Sequence, residues 1–255
     1  VTELLLLFAG LLGGAINSLA GGGSFVVFPA LLLAGVPPVL ANASNTYAAL
    51  PGYVSGAVGY WKDISSQRDK LVLYSIISLV GGYLGAELLL RVSNEQFAQS
   101  VPWLMLFAVV LFALGGRINA LVSRLGSGST GMKAAGGVAL LALLLLICVY
   151  GGFFNAGLGI LLLAFLALAG LGSIHAMNGL KLWISAIVAA VAVVRFAVQG
   201  SIAWYEGSIA LVGVTAGAYI AARLAHKIPA AWIRNGVIIY GAGLTAYFFW
   251  STYAA

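Results

Sequence analysis

Asn178 and Lys181 stand three positions apart in an otherwise apolar stretch, and Asn42 and Asn45 repeat that spacing in the first half of the chain. Side chains three apart share one helix face, so each pair offers two polar groups side by side, with Ser44 next to the first. Amide N–H donors beside an ammonium are groups that hold a small anion out of water. By the helical rise, Lys181 lies roughly 12 Å into its segment. An ionised lysine at that depth costs about 2.5–3.5 kcal/mol even on a lenient insertion scale, which calls for a partner or an anionic ligand. The competing reading is a lysine that snorkels to the membrane edge or bonds backbone carbonyls.

A glycine-rich break precedes each pair. Gly21, Gly22, Gly23 and Ser24 form the first, and the run Asn155-Ala156-Gly157-Leu158-Gly159 forms the second. Each closes a long apolar segment and opens a short one. Irregular backbone at membrane depth survives only inside protein or beside a water-filled cavity. A short helix returning from such a break turns free N–H groups and its positive dipole end toward mid-membrane, which suits an anion. Glycine also serves close helix packing, and in a chain with 34 glycines one break alone says little. Two at matching positions favour a substrate site built from Gly21, Gly22, Gly23, Ser24, Asn42, Ser44, Asn45, Gly157, Gly159, Asn178 and Lys181.

Glu87, His175 and Arg195 are the candidates for proton coupling or gating. Glu87 has Arg91 at i, i+4, which reads equally as an interfacial ion pair. Histidine is the side chain suited to proton exchange near neutral pH, yet His175, at the start of a helix, serves as well for a hydrogen bond. Arg195, at the outer end of the same segment, meets a leaving anion or anchors to headgroups. Cys148 sits among aliphatics as a small buried hydrophobe. The chain carries no phosphate loop, nucleophile–base set, metal-ligand spacing or dinucleotide fingerprint. No catalytic residue, metal or cofactor is expected, and the protein is not read as an enzyme.

Only membrane helices can position these groups. Of 255 residues, 62% are hydrophobic and 7% charged, with a mean hydropathy of +1.08; a soluble domain has roughly 25% charged residues. The longest plainly polar stretch, Lys62 to Lys70, is too short for a soluble domain. The net charge of +6 is scattered singly, so it orients the chain in the bilayer and does not bind nucleic acid. A span needs about 20 apolar residues, and ten apolar segments emerge, at 3–20, 25–36, 38–61, 71–91, 102–123, 134–156, 160–171, 174–197, 207–224 and 231–250. The second and seventh are about 18 Å long as helix, against a core of about 30 Å, and read as half-helices or re-entrant arms. The first segment lacks the basic start and clean cleavage site of a signal peptide and is read as a membrane segment.

The halves repeat one another. Val80-Gly81-Gly82-Tyr83-Leu84-Gly85 returns as Val212-Gly213-Val214-Thr215-Ala216-Gly217, and Arg91 returns as Arg223. These Gly-x-x-x-Gly patterns suit close helix crossing. Three basic clusters (Lys62, Arg68 and Lys70; Arg117, Arg124 and Lys133; Arg223, His226, Lys227 and Arg234) are expected in the cytoplasm. Each half then crosses an odd number of times, so the second copy is inverted. The expected fold is an all-α integral membrane protein of two inverted-topology repeats, residues 1–124 and 133–255, joined by a Gly/Ser linker at 125–132. Each repeat has about five membrane segments, with a short re-entrant or half-helix after its Gly-rich break. The N- and C-termini are expected outside.

The run Ala20-Gly21-Gly22-Gly23-Ser24-Phe25, followed by Phe28-Pro29-Ala30-Leu31, Gly35-Val36-Pro37-Pro38 and Ala41-Asn42-Ala43-Ser44-Asn45-Thr46, resembles the sulfite exporter TauE/SafE family. Gly157, Gly159, Gly170 and Ala176-Met177-Asn178-Gly179-Leu180-Lys181 echo the pattern in the second half, as does Gly200-Ser201-Ile202-Ala203-Trp204. The resemblance implies a multi-pass secondary transporter of the bacterial inner membrane for small sulfur-containing anions such as sulfite, sulfoacetate or another sulfonate. The residues are read as one anion centre between the halves near the midplane, with Lys181 neutralising charge and rocking of the halves giving alternating access. Competing readings are a passive anion channel, a membrane enzyme and a non-transporting scaffold. The expected partners are the anion, the lipid bilayer and a second copy in a homodimer.

Overall fold

Proline and glycine set where the helices begin and end. Pro37 and Pro38 open a helix at Pro38–Gly59, with proline in its first turn, where no donor is lost. Ser173 caps another, its Oγ accepting from the Ala176 N–H at 3.3 Å. The computed structural model describes residues 1–20, 22–126, 135–224 and 230–254. They form the helices α1 (Thr2–Ala20), α2 (Ser24–Leu33), α3 (Pro38–Gly59), α4 (Trp61–Ser65), α5 (Arg68–Arg91), α6 (Asn94–Gly126), α7 (Ala135–Phe153), α8 (Leu158–Leu168), α9 (Ile174–Val198), α10 (Trp204–Leu224) and α11 (Ala230–Tyr253), with no strand among the described residues. Each expected apolar segment corresponds to a helix; α4 is an added turn in the polar stretch. Gly21, residues 127–132 of the expected linker, Lys133, His226 and Lys227 lie outside the described residues.

Among the described residues, three helices are long and apolar enough to cross a membrane: α5, the Asn94–Gly115 part of α6, and α9. The other apolar helices, over Thr2–Ser18, Ser24–Leu33, Gly137–Phe153 and Leu158–Leu168, are shorter. α3 has the length, but Asn42, Ser44, Asn45 and Thr46 make it polar, and all four are buried against protein.

The short helices α2 and α8 end alike. Gly35 and Gly170 take left-handed φ values of 85° and 80°. The next N–H reaches back to close the turn, Val36 to the Leu31 carbonyl and Leu171 to the Leu166 carbonyl, each at 3.1 Å. This helix stop needs a residue free of a Cβ penalty. The two ends point in opposite directions. The end of α8 meets Lys70 at the start of α5, whose Nζ donates to the Ala169 carbonyl at 3.4 Å. The end of α2 leads into Val39, whose N–H donates to Asn94 Oδ1, beyond the far end of α5. At the helix starts, Gly22 and Gly23 of the first break and Asn155, Ala156, Gly157 and Leu158 of the second are buried.

The long helices exchange partners between the halves. α1 packs on α10 and α5 on α7. In both pairs glycine brings the backbones together: Gly10 and Gly14 meet Gly213 and Val214, Gly217 meets Leu11, and Gly82 and Gly85 meet Gly152 and Val149. Between these pairs α3 crosses α9 antiparallel, with Gly56 beside Leu182, Tyr60 beside Gly179, and Ala49 and Tyr53 clustered with Ala186 and Ala189. Phe25, Phe28, Phe97 and Phe154 are each fully buried around the short helices, and Phe28 meets Phe154 edge-on at 5.6 Å. The first short helix thus touches the second break directly.

Candidate functional site

The first break is organised by Asn45. The antiparallel crossing turns α3 so that Asn45 Nδ2 donates to Ser24 Oγ at 3.1 Å. Gly23 precedes α2 and packs on the Gly13 carbonyl of α1, and Gly22 lies against the Phe112 and Val237 side chains. Gly13, Asn17, Gly23, Ser24, Val27, Asn45, Ala49 and Val214 enclose a narrow cavity of about 10 Å³, room for about one water. Asn17 makes no side-chain hydrogen bond among the described residues, so its amide is available to the cavity.

The second break is organised by Lys181. Gly157, at φ 82°, turns the chain into α8 beside Ala108 of α6. A Cβ on Gly159 would sit 3.5 Å from Lys181 Cδ, so the lysine stem lies along the first turn of α8. Its Nζ donates to Asn178 Oδ1 at 3.1 Å, one turn back on α9. Lys181 forms no ion pair among the described residues, although the chain has six carboxylates. The backbone N–H groups of Ala156, Gly157 and Gly159 likewise make no hydrogen bond among the described residues. A cation and free amide donors at a helix start are the elements of an anion site.

α3 also reaches the second break. Asn42, 1% exposed, donates from Nδ2 to the Phe153 carbonyl at 2.7 Å, and its Oδ1 has no partner. The Tyr53 hydroxyl donates to Asn155 Oδ1 at 2.9 Å, leaving the buried Nδ2 of Asn155 unpaired. The sequence contained a signal for Tyr53: Asn42, Asn45, Ala49 and Tyr53 are spaced by three, four and four and share a helix face. Asn155, opening the second break, and Asn17, one turn after Gly13, are polar interruptions of apolar runs.

Other expected site residues sit elsewhere. Ser44 is fully buried and accepts the Ala203 N–H at 2.9 Å, so it ties α3 to the turn before α10. His175 is exposed and stacks on Tyr60 with ring centroids 6.3 Å apart. Glu87 takes Arg91 Nε at 3.3 Å on one oxygen and Arg195 Nε at 2.9 Å on the other, and Arg195 Nη1 also donates to Gln199. Arg195, expected as a gating residue that meets a leaving anion or as an outer anchor, joins Glu87 and Arg91 in one ion-pair cluster across α5 and α9. Asn45 and Lys181, expected in one centre, contact different breaks: Asn45 bonds Ser24 and Lys181 lies along Gly159. Gly56 marks the level of Leu182, and eleven residues of helix separate it from Asn45, about 16 Å. The α3–α9 crossing lies between them.

The chain matches the profile described as "Sulfite exporter TauE/SafE" over residues 6–248. It belongs to that family. Among curated relatives it is 30% identical to the probable membrane transporter protein YfcA of Escherichia coli (strain K12), over 94% of this chain and 87% of that one. It is 28% identical to the probable membrane transporter protein ORF9 of a Sinorhizobium species, over 94% and 89%. It is 26% identical to a probable membrane transporter protein of Haemophilus influenzae, over 95% and 92%. No solved structure matches it significantly. The protein is a multi-pass membrane transporter and not an enzyme.

Proposed function

We propose that this protein is a secondary transporter that exports a small sulfur-containing anion, such as sulfite, sulfoacetate or another sulfonate, across the bacterial inner membrane by alternating access. One observation carries the reading: Lys181, deep in α9, has an amide oxygen for a partner and no carboxylate, and lies against the start of a half-length helix. A half-buried cation at membrane depth without a counter-charge is costly, and an anion arriving at the α8 start relieves that cost. Asn178 holds the ammonium, and the free N–H groups of Ala156, Gly157 and Gly159 complete the shell. Ser24, Asn45 and Asn17 form the corresponding half-site at the first break, beyond the α3–α9 crossing.

Two inverted repeats account for this arrangement. They explain the matching stops at Gly35 and Gly170, the opposed directions of α2 and α8, and the exchanged pairs α1–α10 and α5–α7. Both termini then lie on the periplasmic side. Glu87 and Arg195 serve as a gate across the α5–α9 seam, since the carboxylate is already engaged by two guanidinium groups.

The test is sulfite and sulfoacetate efflux from proteoliposomes, with binding followed by calorimetry. Lys181→Met is expected to weaken binding at least tenfold and to abolish efflux while the protein stays monodisperse. Unchanged binding and efflux would remove Lys181, and this reading, from consideration.

A further inference from the structure

The second break holds two polar atoms that folding leaves unmet. Asn42 and Asn155 are 1% and 2% exposed, and each uses half of its amide: Asn42 Nδ2 on the Phe153 carbonyl, Asn155 Oδ1 on the Tyr53 hydroxyl. What remains is a buried acceptor, Asn42 Oδ1, and a buried donor, Asn155 Nδ2. Their anchors are two residues apart in the chain, at most about 7 Å of backbone. A buried polar group without a partner is costly, and such groups in a folded protein point to a role.

Opposite polarity is what makes the pair informative. Asn155 Nδ2 suits an anionic oxygen, as do the free N–H groups of Ala156 and Gly157 beside it. Asn42 Oδ1 does the reverse: it repels a bare anionic oxygen and accepts only from a hydrogen on the ligand. Its orientation is fixed, because the Phe153 carbonyl only accepts and must face Nδ2.

We propose that Asn155 Nδ2 and Asn42 Oδ1 form a donor–acceptor pair at the second break that selects an anion bearing a hydrogen of its own, such as hydrogensulfite or an amino-sulfonate, over a fully deprotonated one. Tyr53 is a positioning residue that holds Asn155 with its donor turned to the ligand. This inference rests on the anion-transport reading and narrows its substrate class.

Hydrogensulfite and chlorate provide the test, being pyramidal anions of equal charge and similar size, of which only the first carries a hydrogen. Binding of each to the purified full chain is measured by calorimetry at mildly acidic pH. The wild type is expected to favour hydrogensulfite at least tenfold. Asn42→Ala should bring the ratio within twofold. Asn155→Asp, which keeps size and the Tyr53 bond while losing the donor, should weaken both anions at least tenfold. Equal wild-type binding of the two, with both abolished by Lys181→Met, would overturn this inference and leave the transport reading standing. So would a ratio unmoved by Asn42→Ala, since the two amides would then hold a structural water only. If the wild type binds neither anion, the transport reading falls and this inference with it. The wild-type ratio is decisive even if a variant fails to fold.

Discussion

Ser44 and Asn45 are neighbours in the chain with different work. The Ser44 hydroxyl accepts the Ala203 N–H and so fixes the turn into α10, while Asn45 faces Ser24 and the cavity at the first break. A hydrogen bond contributes about 0.5–1.5 kcal/mol net, and a backbone N–H left without its partner costs about 1–3 kcal/mol. Ser44→Ala should therefore lower the melting temperature and leave anion affinity within twofold. Asn45→Ala should do the opposite, weakening affinity about two- to tenfold with little change in melting. Calorimetry and thermal unfolding on the same samples separate the two, and a reversed pattern would reassign Ser44 to the site. Adjacent helical residues point about 100° apart, so sequence proximity put both in the candidate set, whereas burial and partners divide them.

At the scale of elements, the Gly-x-x-x-Gly helices decide whether the bundle assembles. A Cβ on Gly85 would overlap the Val149 carbonyl, and one on Gly217 would overlap the Leu11 carbonyl. Backbone cannot yield as a side chain does, so Gly85→Leu or Gly217→Leu should cost more than about 3 kcal/mol, the upper end of ordinary overpacking, and give little monodisperse protein. Gly243→Leu on α11, with nothing within 4 Å of its Cβ, should be tolerated. Size-exclusion profiles and melting of the variants check both statements. The repeated glycine pattern was legible in the sequence as a packing surface. Which helix it packs on was not: α5 takes α7, and α10 takes α1, from the opposite half in each case.

For the whole molecule, the α3–α9 crossing lies between the two proposed half-sites. Ala49 and Tyr53 meet Ala186 and Ala189 there, between Asn45 on one side and Lys181 on the other. Alternating access requires this seam to move relative to its surroundings. In a Cys148→Ala background, Ala49→Cys with Ala189→Cys, joined by a short bifunctional thiol reagent, should stop efflux and leave anion binding within threefold. Efflux that continues after complete linkage would mean that the two helices travel together and the motion lies elsewhere.

Local properties were readable in the chain itself. Membrane character follows from composition, helices from the lengths of apolar runs, breaks from glycine, and the polar positions of α3 and α9 from a spacing of three. All of these depend on residues within a few turns of one another. Contacts across the bundle depend on how helices pack, and no local pattern encodes that. Only the tertiary structure gave Lys181 a neighbour in Gly159, diverted Ser44 to the Ala203 turn, joined Arg195 to Glu87, and set Tyr53 on Asn155, a residue 102 positions away. It also set Asn45 on Ser24 at the first break and Lys181 along Gly159 at the second, because antiparallel helices carry matching positions to opposite sides of their crossing.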